Sequence, residues 1–159
     1  MRKILFTLGM LVLCIKTFAQ GHPLTEQDSV NAVGTVVYSR NWEGSTISDF
    51  LNAVERQGVS MKYVRFGITS PWIDKKGRGY VNRVSYSFFD DDEIRYRLFC
   101  SCDYIPYIDI YLQEPFEELS VFIKKYPLNN EKIGIEDRVH LVGTLKIKEI
   151  KYSYKPYGR

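Results

Sequence analysis

Sulfur and imidazole are scarce in this chain. Its 159 residues include three cysteines, three methionines and two histidines. Too few cysteines are present for a disulfide-dense scaffold. Soft-metal binding would want more sulfur or imidazole than this, and two lone histidines, His22 and His140, rarely build a base–nucleophile pair. The nucleophile elbow Gly-x-Ser-x-Gly, the zinc motif His-Glu-x-x-His and a glycine-rich phosphate loop are all missing. Together these absences point away from the commonest hydrolase, metalloprotease and nucleotide-binding chemistries. No cofactor and no metal is expected. No repeat of solenoid period is found, and no apolar run reaches the roughly 18 residues of a membrane span.

What is present begins with a destination signal. In "MRKILFTLGMLVLCIKTFAQ", Arg2 and Lys3 precede the apolar run Ile4 to Ile15, and small residues flank a cleavage point after Ala19. That is the pattern of a secretory signal peptide over residues 1–19. Residues 20–31, "QGHPLTEQDSVN", read as a flexible leader, and 32–156 as one exported domain that is periplasmic or secreted. Cleavage would remove Arg2, Lys3 and Lys16 and no acid, so 22 basic residues fall to 19, level with the 19 acidic ones. The apparent basicity belongs to the signal. Nucleic acid therefore loses its electrostatic argument as a partner. Near-zero net charge favours a protein partner or self-association, and no transmembrane segment is expected in the mature chain.

Hydrophobic periodicity supplies the fold expectation. "AVGTVVYS" (32–39) is β-branched and reads as a strand. In "STISDFLNAVERQG" the residues Ile47, Phe50, Leu51 and Val54 share a helical face, Thr46 or Ser45 can cap it, and Gly58 suits its C-terminus. A strand over 59–68 and a turn "TSPWIDKKGRG" follow. Alternation of period two then runs through 80–89, 94–102 and 107–112, with "DDDE" (90–93) as a hairpin tip. "PFEELSVFIKKYP" (115–127) predicts a second helix. The last strand region, 138–155, changes apolar phase near Lys148-Glu149, which implies a bulge. The sum is an α+β domain: a mostly antiparallel sheet of six to seven strands, a central meander over 80–112, two helices, and room for partial closure into a barrel.

Two short stretches carry resemblances. "IEDRVHLVGTLKI" resembles the strand register of small oligonucleotide/oligosaccharide-binding barrels, which implies a barrel and no particular ligand. "STISDFLNAVERQGVSMKY" is similar to the helix–strand unit of the small secretin/TonB-type periplasmic domain. Neither resemblance assigns a functional residue.

Cys100 and Cys102 sit one residue apart in "RYRLFCSCDYIP". On a strand they share a face with Ile94, Tyr96 and Leu98, and so read as buried core thiols. A local disulfide is the alternative: the Cα atoms would lie about 6.6 Å apart, near the upper limit for a bridge. On the opposite face the meander would carry Arg83, Ser85, Arg95, Arg97, Phe99, Tyr107, Asp109 and Tyr111 in adjacent rows. Arginine and tyrosine combine apolar area with directed hydrogen bonds and are enriched where proteins bind partners. The expected function is an exported, non-catalytic interaction protein of the cell envelope that recognises a protein or peptide through this face. A small-ligand or glycan-binding barrel is the alternative, and an envelope-polymer hydrolase the third reading.

Overall fold

Two helices bury apolar stripes, one of valines and one of mixed Ile, Phe, Leu and Val, against a sheet. The structure is a computed structural model and describes residues 24–69, 73–100, 105–126 and 135–153. Helix α1 spans Glu26–Tyr38, where a strand and part of the leader were expected. Thr25 and Asp28 close a capping box, each side chain receiving the other's backbone N–H. Val30, Val33, Val36 and Val37 are buried along one side. Their β-branched chemistry suggests a strand, but their spacing of three and four is helical, and burial of that stripe outweighs a propensity difference of tenths of a kcal/mol per residue. Helix α2, Ile47–Glu55, matches expectation: Thr46 caps it with Asp49, and Ile47, Phe50, Leu51 and Val54 are all buried. Gly58 follows at φ +79°.

Four antiparallel strands, β1 (Tyr63–Gly67), β2 (Arg83–Ser87), β3 (Tyr107–Leu112) and β4 (Ile147–Ser153), pair in the order β1-β2-β3-β4. The sheet is open, with β1 and β4 as its edges, so the barrel expectation is corrected. Four strands replace the expected six or seven among the described residues, and helices outnumber the expected two. Val64, Val84, Tyr86, Ile108, Ile110, Leu112 and Ile147 join α1 and α2 in the main core. The Tyr86 hydroxyl donates to the Val139 carbonyl at 3.0 Å, and burial pushes its phenol far above the ordinary range. The bulge falls where the phase change placed it: Tyr111 pairs with Glu149 while Leu112 pairs with Ile147, so Lys148 is the extra residue.

Three further expectations are corrected. Residues 94–100 belong to helix α3, Asp91–Cys100. β2 and β3 pair side by side, but a helix joins them instead of a middle strand. The expected helix 115–127 is shortened to α4, Leu119–Lys125. Its first residues are drawn out because Phe116 N–H bonds Val81 O, and Glu117 O and Gly79 O accept from Val81 and Leu119. The expected final strand begins instead as α5, Ile135–His140. The chain then bends so that Leu145 O and Gly143 O accept from Ile47 and Ser48, the first two N–H donors of α2. Those donors have no partner within their own helix. A side chain at Gly143 would meet Ser48 Oγ and stand 3.1 Å from the His140 carbonyl oxygen, so glycine suits this close approach. The barrel-like register of "IEDRVHLVGTLKI" is therefore a helix and a capping loop up to Lys146.

Candidate functional site

Period two divides each strand, and the sheet face turned away from α1 and α2 is polar. Strand pairing sets Arg65, Ser85, Asp109 and Lys151 in one row across all four strands. The next row is Gly67, Arg83, Tyr111 and Glu149. Tyr63 lies near Tyr107, ring centroids 6.2 Å apart and planes tilted by 59°, at the end beside α3. Burial is the larger cause that raises the Tyr63 phenol above its usual range, with Arg65 opposing it and Asp91 adding to it.

A cleft of about 110 Å³ lies on this face, lined by Arg65, Arg83, Ser85, Tyr107 and Asp109. The Ser85 hydroxyl donates to Asp109 Oδ1. Lys151 is engaged with Glu149 at 3.6 Å and with the Tyr111 ring at 4.8 Å. Neither Arg65 nor Arg83 forms an ion pair among the described residues. The Arg83 guanidinium lies over Gly67, where an added Cβ would stand 3.0 Å from Nη2 and 3.1 Å from Nε. Arg83 Nε is buried without a hydrogen-bond partner, one of two such side-chain atoms among the described residues; the other is Glu117 Oε2. Leaving a buried donor unpaired costs on the order of 1–3 kcal/mol, more when it is charged, so such atoms are few in folded proteins.

Four of the seven expected partner-binding residues, Arg83, Tyr107, Asp109 and Tyr111, meet on this face. Arg95, Arg97 and Phe99 do not, because they lie on α3. Arg97 ties α3 to α1: it reaches Glu93 at 2.6 Å and Glu26 at 2.8 Å, and covers the Phe89 ring at 4.1 Å. Its hydrogen bonds to the accepting carboxylates of Glu26 and Glu93 hold its guanidinium even more firmly protonated than usual. Arg95 pairs with Asp91 at 2.8 Å, and Phe99 is 86% exposed. Arg65 went unnoticed in the sequence because its strand carries apolar residues on both faces; the spacing Tyr63-Arg65-Gly67 was the available signal.

The other candidates take structural places. "DDDE" begins α3, with Asp90 accepting from Glu93 N–H at 2.9 Å. "DKKGRG" is a turn in which Asp74 accepts from the Lys76 and Arg78 backbones, and these bonds hold its carboxyl below the usual range. His140 ends α5, on a helix and not a strand, 3.7 Å from Glu55 and half exposed. Cys100 closes α3, so the shared-strand-face argument for Cys100 and Cys102 does not hold; Cys102 and the pairing question lie outside the described residues. Among the described residues no group of three or more His, Cys, Asp or Glu could hold a metal, and no helix is long and apolar enough to cross a membrane. A wider cleft, about 380 Å³, opens beside Arg40, Trp42, Asn52 and Arg56, but it holds no buried polar atom without a partner.

No protein-family model matches the chain, and no curated protein or solved structure matches it either.

Proposed function

We propose that this is an exported, non-catalytic binding protein of the cell envelope or periplasm. It recognises a protein or peptide through the open sheet face that carries Arg65, Arg83, Tyr107, Asp109 and Tyr111. The observation that supports this reading is Arg83, half-buried among those residues with its Nε unpartnered. Arginine beside tyrosine on a sheltered floor is the chemistry of interface hot spots. The mixture of Asp109 and Glu149 with Arg65 and Lys151 in two rows argues against a nucleic-acid backbone, which rewards charge of one sign.

The test is capture from the native envelope by the exported protein and by its Arg83→Ala/Tyr111→Ala variant. The captured partner is then purified and its affinity measured for both. Binding at least about tenfold weaker in a variant of unchanged circular dichroism supports the reading. Equal affinity for the two would sink it.

A further inference from the structure

We propose that the Arg65–Arg83 cleft is a receptor for a single carboxylate of the partner peptide, gripped by the Arg83 fork. This rests on the sheet-face reading above and names the chemistry of its ligand.

Charge selects the ligand first. Arg65 and Arg83 contribute two positive charges and Asp109 one negative, while Lys151 is already engaged by Glu149 and the Tyr111 ring. One positive charge is left over, which matches a carboxylate. A phosphate group carries about −1.5 to −2 and would face Asp109 with charge in excess. Ser85, which with Tyr107 brings a hydroxyl to the cleft, already donates to Asp109, and the charged donors of the lining are the two arginines.

Size selects next. At about 110 Å³ the cleft is well below the roughly 300–1,000 Å³ that houses a drug-sized ligand. It accommodates one small group at the end of a side chain or of a main chain.

Geometry supplies the grip. Arginine meets a carboxylate with two parallel N–H donors in a fixed fork. In the free protein Nε is turned toward Gly67 and unpaired. Binding rotates the fork into the cleft, giving Nε the acceptor it lacks.

The test is a titration read at the Arg83 Nε–Hε resonance of the protein expressed from its full sequence and recovered after export. The probes are N-acetylglycine, which presents a chain-terminal carboxylate, and N-acetylglutamate N-methylamide, which presents a side-chain one. N-acetylglycinamide and inorganic phosphate are the comparators. The expected result is a saturable shift with at least one carboxylate, at a Kd on the order of millimolar, and none with the amide. Arg83→Lys, followed at the backbone amides of Ser85 and Asp109 in both proteins, keeps the charge without the fork and should bind about tenfold more weakly.

No saturable shift at Arg83, an equal response to the amide, or phosphate binding tenfold tighter than both carboxylates overturns the proposal. The wild-type titration decides this even where a variant does not fold. If the captured partner still depends on Arg83 and Tyr111 while no carboxylate shifts Arg83, the recognition face stands and the ligand chemistry alone falls.

Discussion

Arg97 and Arg83 show how one residue type takes two jobs. Arg97 satisfies its guanidinium inside the molecule, with Glu26, Glu93 and the face of Phe89. Arg83 sits over a glycine without an internal acceptor for Nε. Replacing Arg97 by alanine should therefore lower stability and leave sheet-face binding intact. Both its carboxylate partners are about 40% exposed, so solvent screening keeps the loss to about 1–2 kcal/mol, the ring contact included. Urea denaturation of Arg97→Ala beside Arg83→Ala separates the two roles; equal stability loss with equal binding loss would erase the distinction. At Gly67 an alanine needs no strained backbone, but its Cβ would press on the Arg83 guanidinium. Gly67→Ala should keep the melting temperature within a few degrees and still alter partner affinity, measured on the captured partner.

Among elements, α3 is one of three helices, with α1 and α5, that stand where strands were expected. Its residues Ile94, Tyr96 and Leu98 alternate as a strand would, yet Ile94 is buried while Tyr96 is 64% and Leu98 49% exposed. The helix signal was local: Asp90 three residues before Glu93, acids in the first turn, and the pairs Asp91–Arg95 and Glu93–Arg97 at a spacing of four. Such contacts are each worth tenths of a kcal/mol, so the helix depends on few anchors. In α2 the same capping device adjoins four buried side chains. Amides of residues 95–99 should therefore exchange at least about tenfold faster than those of residues 50–54, measured by native-state hydrogen exchange. Asp90→Ala should widen the gap by removing a cap worth about 1 kcal/mol. Uniform exchange would show α3 to be as firmly held as α2.

For the whole molecule, acid is the informative stress. Asp28 and Asp49 are held below the ordinary carboxylate value by hydrogen bonds from Thr25 and Thr46 respectively, and Asp74 by backbone donors at Arg78 and Lys76. A carboxyl whose folded value is depressed stabilises the fold above its unfolded value. That contribution is lost as pH falls from about 3.8 through the lower folded value. Melting temperature should hold from neutrality to about pH 5 and then fall steeply toward pH 2. Asp28→Asn/Asp49→Asn should be less stable at pH 7 and lose less on acidification. Parallel melting curves for the variant and the native protein would show that these caps play no part in the acid response.

The sequence by itself determined what neighbours along the chain can decide. The α2 stripe, the Thr46 cap, the run of β3 from Tyr107 to Leu112 and the bulge near Lys148 all follow from local spacing. The polar alternation of β2 and β3 likewise placed Arg83, Tyr107, Asp109 and Tyr111 on one face. Tertiary structure decided the rest, because the competing forms were close in local energy and distant contacts chose between them. The Val30–Val37 stripe became a helix when the core could cover it. Residues 116–118 were drawn from α4 to pair with 79–81. The chain after α5 bent to satisfy the first donors of α2. Strand order alone brought Arg65 and Gly67 beside Arg83, and that neighbourhood makes the cleft.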